Sequence, residues 1–587
     1  IWLHLLMIVS SNSFALIITL QGNVWTFEPQ LSYLEINCCT SNVNPPPANS
    51  RNDSKDFVPT RTHILFAHHF STIAGAGPII GPTIGILYGF APAWIWIVPG
   101  TVFFGAVHDY STLFASIREG GKSIGEIAGI SLGKTGMFLF LAFTLIMIFL
   151  VTSAFLSMTA ISLTSMWPLS KLSLETGQTL LKTTEVNGQP MGIIGGIAST
   201  SVIIITIFSP LLGFLMCRKS MKMVPGYFLA AIVCALSIII GFNYPINLPP
   251  TAWMIIISIY VLFAAGAPVW VILQPRDFTN VQILYGGMAA LVISIIIGGF
   301  SGLTISFPAF SLSAGIEHLG FIWPMLMITI ACGAISGFHS LVASGTSSKQ
   351  VRNESSARKI GFGGMVLEGA LAVLVLLALA SSLGYSDYLN IVWPDSGSNP
   401  VLAFALAVGG LMNGSLGIPI SVGAVMGILL IEGFVVTTLD SAVRLNRYLF
   451  EEFWSLIFDP VPSLLRKFWF NSGISVIIMF LLAYFNAFRL IWPLFGTANQ
   501  LMAALALIAV SAWLFRKGRK NWFTLIPAVF MVITTVASLI YLLIMTYLPS
   551  GNIVLIIADL ILLALSFGVV AISLQSVAGR IRQINGI

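Results

Sequence analysis

Two apolar runs of this 587-residue chain carry polar side chains and helix breakers together. The first, ILFAHHFSTIAGAGPIIGPTIG at 64–85, holds His68, His69 and Ser71 beside Gly75, Gly77, Pro78, Gly81 and Pro82. The second, TIACGAISGFHSLVASGTSSKQ at 329–350, interleaves Gly333, Gly337 and Gly345 with Ser336, His339, Ser340 and Ser344. Ionisable groups at membrane depth are costly and by default mark a substrate or ion path. An imidazole exchanges protons near neutral pH. Glycine and proline interrupt the helical ladder, and an interrupted ladder inside a membrane survives where it is buried in protein or lines a cavity. Discontinuous helices of this kind hold substrate and coupling ion in secondary transporters. The plainer reading is close helix packing through small residues, which leaves the density of hydroxyls unaccounted for.

A third cluster is Thr437, Thr438, Asp440 and Ser441, a carboxylate among hydroxyls suited to a hard cation or a proton. Its competing reading is a helix-end Asp440 paired with Arg444 at i+4. His68 and His69 point about 100° apart on a helix and are poor joint ligands for one ion. His108 and Asp109 read as a local hydrogen-bonded pair at the end of the second span. Glu368 lies in the span after the second broken run, and Glu432 shares a face with Asp440 eight residues on. Asp559 stands alone in the last span.

The elements that position these residues follow from composition. Hydrophobic residues are 57% of the chain and charged residues 8%, against about 25% charged in soluble domains. A soluble or disordered chain is excluded, and the runs lack the alternation of a β-barrel. Runs of about 20 apolar residues recur about fourteen times from residue 62 onward. Among them are 251–273, 320–346 and 417–440, and residues 1–20 read as a further span or an uncleaved anchor, giving 14–15 transmembrane helices. The two long loops are 164–193 and 441–469, the latter expected to hold an interfacial helix. Strict alternation puts all 27 Lys and Arg except Lys171, Lys182 and Arg489 on one side. That bias makes the basic loops and the C-terminus cytoplasmic. It also sets the two broken runs in opposite directions, as an inverted repeat requires. The net charge of +6 is spread over loops and is not a nucleic-acid patch. The five cysteines show no metal, haem or disulfide spacing. No soluble segment is large enough to carry an enzyme, and no cofactor motif is present.

Seven stretches resemble the carbon starvation protein A family in order and spacing: DFVPTRTHILFAHHFSTIAGAGPIIGP, VFFGAVHDYSTLFASIREGGKSIGEI, QPRDF, CGAISGFHSLVASGTSSKQV, IGFGGMVLEG, TTLDSAVRL and WPLFGTANQLMAALAL. The resemblance covers about 45–516, whereas residues 1–44 depart from the family's usual first helix and linker. It implies a bacterial inner-membrane protein of the starvation response that takes up peptides or, in close relatives, pyruvate with protons. It also implies an all-α, LeuT-like inverted-repeat core, with 62–91, 320–346 and 417–440 as its first, sixth and eighth helices.

On this reading the chain divides into an atypical start (1–61), a transporter core (62–516) and C-terminal transmembrane helices (517–587). Substrate is expected at His69, Ser71, Gly75, Gly77, Gly81, Ser336, Gly337, His339 and Ser340. Half-helix N–H groups near Gly77–Gly81 and Gly337–His339 would meet its carboxylate. The coupling ion is expected at Thr437, Thr438, Asp440 and Ser441, with Gly75–Gly77 carbonyls, or on one of His68, His69 and His339. A carboxylate is common to pyruvate and to a peptide C-terminus, and the Thr/Ser/Asp cluster serves proton or sodium alike. Two other readings stay open. One is a haem or metal redox protein using His69 with His339; the other is a membrane sensor that binds nutrient without moving it.

Overall fold

A computed structural model describes residues 45–585, apart from 52, 54–56, 173, 175–179, 216–222, 268–270, 395–397 and 487. The span expected at 1–20 lies outside the described residues. Twelve described helices are long and apolar enough to cross a membrane, thirteen if one bent pair counts as a span. The helices follow from the solvent: in hydrocarbon each backbone N–H and C=O must find its partner within the segment. In chain order the first four are α1 (Thr62–Ala74) and α2 (Gly77–Gly85), then α3 (Phe90–Arg118) and α4 (Ile124–Leu163). Next come α5 (Gly195–Gly213), α6 (Met223–Asn243), α7 (Pro250–Gly266) and α8 (Leu273–Phe300). Three short pieces follow, α9 (Leu312–His318), α10 (Ile322–Thr329) and α11 (Phe338–Gly345). Then come α12 (Arg358–Ser382), α13 (Tyr385–Val392), α14 (Pro400–Leu416) and α15 (Ile420–Ile457). The chain closes with α16 (Phe468–Phe485), α17 (Phe488–Arg516), α18 (Trp522–Ser550) and α19 (Ile553–Asn585).

Twelve of the fourteen expected spans are helices of this length. The span expected at 251–273 is the shorter α7, and the one at 320–346 is not a single helix but α10 and α11 with irregular chain between them. The expected loop 441–469 is mostly helix too, because α15 runs on to Ile457 with Leu445, Leu449 and Phe450 buried along one side. The other long loop folds into a small antiparallel sheet, β1 (Met166–Pro168), β2 (Thr183–Val186) and β3 (Gln189–Ile193), with β3 in the middle.

One helix escaped the span count without upsetting the alternation. The ends of α8 and α12 lie together, since Ser306 N–H donates to Ala380 O at 2.7 Å. At that same end Gly410 packs on Ser382 and Ser415 lies near Gly298. So α13 and α14 dip in and return to the end where α12 left, and they add no crossing. Gly417 in the left-handed conformation and Pro419 then turn the chain directly into α15.

The first break is local. Gly75 ends α1 at φ 44°, ψ −149°, a conformation that L side chains rarely adopt. Pro78 restarts the helix in the first turn of α2, where a missing N–H costs nothing. The second break spans residues 330–337 between α10 and α11. The two breaks run antiparallel: Gly77 packs on Cys332, Gly81 on the backbone of Thr329 and Ile330, and Gly85 on Ile330 and Leu326. A Cβ at Gly81 would stand 3.0 Å from Thr329 O, so the close approach needs the missing side chain. At the basic end the flanking segments are tied as well. Thr60 N–H donates to Gln350 O at 3.0 Å, and the Thr62 and Ser356 hydroxyls share a hydrogen bond at 2.8 Å.

Candidate functional site

The irregular backbone of the second break is held by side chains from other spans. Thr101 donates to Gly333 O at 2.8 Å, Trp96 to Met327 O at 3.2 Å, and Gln500 to Met327 O at 2.7 Å. Asn499 does most. Its Oδ1 accepts the Phe338 N–H at 2.9 Å, its Nδ2 donates to Ser336 Oγ at 3.0 Å, and its carbonyl takes the Gly337 N–H at 2.9 Å. An orphan N–H of a half-helix start is thereby satisfied. The N–H groups around Gly337–His339, expected to meet substrate, are therefore partly occupied by Asn499 in this conformation. The corresponding start at α2 has no such side-chain cap.

A fully buried ionisable cluster adjoins the same break. His339, in the first turn of α11, sets Nδ1 2.8 Å from Asp109 Oδ2. His108 Nδ1 lies 2.7 Å from the other oxygen of Asp109. His339 Nε2 faces Glu368 Oε2 of α12 at 3.4 Å. All four residues are completely buried. The pair His108–Asp109 thus exists as read, but in mid-helix and joined to the second break. His69 turns Nδ1 to Ser347 Oγ at 2.8 Å, closing another link between the two broken segments. The Ser71 and Ser340 hydroxyls are spent on their own helices, donating to His68 O and Gly337 O.

The third cluster divides. Thr437, Asp440 and Ser441 share one side of α15, and Thr438 lies about 100° round from Thr437. Only Thr438 is placed against the first break, with Oγ1 3.4 Å from Thr72 O and next to Gly75. Thr437 is bonded to Gly433 O and to Asn280 of α8. Asp440 pairs with Arg276 of α8 at 2.7 Å and accepts from Tyr260 OH at 3.1 Å. Arg276 in turn donates to the Tyr260 hydroxyl. Asp440 is therefore not a helix-end residue held by Arg444, whose guanidinium donates to Ala264 O and Ala267 O. Next to Arg276, Asp277 accepts from His68 Nδ1 at 3.0 Å, tying α8 to α1. Ser441 is buried on the same side of the helix.

Arg276, Asp277, Asn499 and Tyr260 carry much of this geometry, and the sequence reading gave none of them a role. Hydropathy places Arg276 in a loop because the apolar run starts near 280, yet α8 begins at Leu273 and buries it. Among the described residues no group of three or more His, Cys, Asp and Glu could hold a metal ion.

The family model described as "Carbon starvation protein CstA" matches residues 30–398 and 392–538. This chain belongs to the CstA family. The peptide transporter CstA of Bacillus subtilis is 29% identical over 532 residues, covering 84% of this chain and 83% of the relative. The pyruvate/proton symporter BtsT of Escherichia coli is 26% identical over 574 residues, covering 83% of this chain and 75% of the relative. Among solved structures, Mhp1, a nucleobase-cation-symport-1 family transporter, aligns over 90% of this chain and 95% of its own. The identity is 12% and the TM-score 0.44. Its twelve described helices long and apolar enough to cross a membrane fit a multi-pass, predominantly helical membrane protein.

Proposed function

We propose that this chain is a secondary active transporter that imports a small carboxylate nutrient, pyruvate or a short peptide, by proton symport during carbon starvation. The names of its CstA-family relatives support the substrate class and the coupling. One structural observation carries the reading. Two helix breaks meet antiparallel inside apolar spans, with completely buried ionisable groups beside them. Such an arrangement is expensive to build and serves a solute that must cross. The uncapped start of α2, with its partial positive charge, is the better candidate for the substrate carboxylate. At α11 a carboxylate would first have to displace Asn499. Thr438 with the backbone of the first break is the remaining candidate for a cation, and Asp440 would couple only by leaving Arg276. The basic loops would face the cytoplasm of a bacterial inner membrane.

The test is uptake by purified protein in liposomes, using labelled pyruvate and a labelled dipeptide, each with and without an inward proton gradient. Gradient-driven accumulation of one substrate is the expected result and names it. Saturable binding with no uptake of either would replace this reading by a nutrient sensor.

A further inference from the structure

Resting on the transport reading above, we infer that Glu368 and His339 together hold the single proton that travels with the substrate, and that this proton fastens the second helix break to α12. The argument begins at Asp109. An ionised carboxylate can only accept hydrogen bonds. Asp109 sits 2.8 Å from His339 Nδ1 and 2.7 Å from His108 Nδ1, so both of those nitrogens carry their protons toward it. His339 then presents Nε2 to Glu368, and in a neutral imidazole that nitrogen is a bare lone pair.

The facing group is Glu368 Oε2, 3.4 Å away. Without a proton between them, two acceptors confront each other in a site with no exposure to solvent. Among the described residues neither Glu368 oxygen has another hydrogen-bond partner to quiet it. With one proton, borne as Glu368 O–H or as His339 Nε2–H, the pair becomes neutral and attractive. Losing that proton leaves the Glu368 carboxylate beside the Asp109 carboxylate, two buried negative charges that only separation or water can relieve.

Beyond His63 of α1, Tyr110 and Arg118 of α3 and Tyr285 of α8, the other titratable groups on elements packed against α12 are few. From α1, His69 lies against Gly364, one turn before Glu368, with Nδ1 on Ser347. His68 of α1 is bonded to Asp277 of α8, and Arg276 of α8 is paired with Asp440. From α3 come His108 and Asp109, while α2 and α14 carry no ionisable side chain. Cys332 lies in the break itself. Among the described residues, the Glu368–His339 contact is the one that sets two acceptors against each other between the second break and a continuous helix. It therefore converts proton occupancy into a clasp: protonated, α11 is held on α12; deprotonated, it is released.

The experiment uses the full chain in liposomes and compares wild type with Glu368→Gln. Two readings are taken: gradient-driven accumulation, and exchange of labelled for unlabelled substrate at equal pH. One symported proton and a one-unit pH difference accumulate a monoanionic substrate about tenfold. Glu368→Gln is expected to drop that ratio to about onefold, while exchange stays measurable at a reduced rate. Accumulation that survives in Glu368→Gln overturns the inference and leaves the transporter reading standing. Wild-type protein that neither accumulates nor exchanges refutes the transporter reading itself. Should Glu368→Gln not fold, Glu368→Asp carries the test, since it keeps the acid and withdraws it by one methylene. A shift in the pH of half-maximal uptake is expected, and an unchanged profile overturns the inference.

Discussion

Replacing Asp440 by Asn strands the guanidinium of Arg276 inside the protein. The two residues are at most 1% exposed, and Asp440 Oδ2 stands 2.7 Å from Arg276 Nη1. Among the described residues the Nε and Nη2 atoms of Arg276 have no other hydrogen-bond partner, and the one other carboxylate close to its charge, Asp277, is already bonded to His68. Breaking a buried pair from one side costs about 3–5 kcal/mol, because the remaining charge is left uncompensated. Arg276→Gln should cost a similar amount by stranding Asp440 beside Asp277. The double variant removes both charges, so its loss should fall short of the sum of the singles by about 3 kcal/mol, the upper end for residues in one network. Reversible unfolding in mixed micelles measures all four proteins. Losses that add within about 0.5 kcal/mol would show that the charges do not sustain each other, and the reasoning would fail.

Two further outcomes probe separate features. A Cβ at Gly337 would strike the Asn499 carbonyl and stand 2.6 Å from Ala503 N, backbone that cannot swing aside. Gly337→Ala should therefore cost about 1–3 kcal/mol, whereas Gly473→Ala in α16, with nothing within 4 Å among the described residues, should gain about 0.5–1 kcal/mol; equal effects in the same assay would contradict the packing. At the basic end, burial alone would raise the Glu119 carboxyl, but hydrogen bonds from Trp513 and Lys517 and the Lys517 charge hold it below the ordinary 4.5. A lowered folded-state value stabilises fully above the unfolded one and is lost as pH falls through the folded one. Thermal melting in detergent should thus show an acid-side loss below 4.5 that is weaker in Glu119→Gln, and identical acid limbs would count against it.

The breaks were legible because glycines and prolines set close together inside an apolar run cannot carry a helical ladder through unbroken. Their antiparallel course was legible from the one-sided Lys and Arg. What stayed hidden depends on partners far along the chain. Asp440 and Arg276 are 164 residues apart in sequence, and nothing at either position names the other. Asp440 looked like a helix end because hydropathy falls after it, yet α15 continues as an amphipathic helix. The division of Thr438 from Thr437, Asp440 and Ser441 could have been read from the 100° step of a helix. The three short strands at 166–193 have no alternating pattern to announce them.

The ties at the basic end have a mechanical consequence. The segment entering α1 and the segment leaving α11 are pinned at Thr60 to Gln350, Thr62 to Ser356 and His69 to Ser347. Three pins along two short lengths of chain remove their freedom to hinge separately. The half-helices on that side are therefore coupled, and any opening there must move both together, with the foot of α12 tied to them at Ser356. A machine built so needs only one latch at that end, and the position of either half-helix reports the state of both.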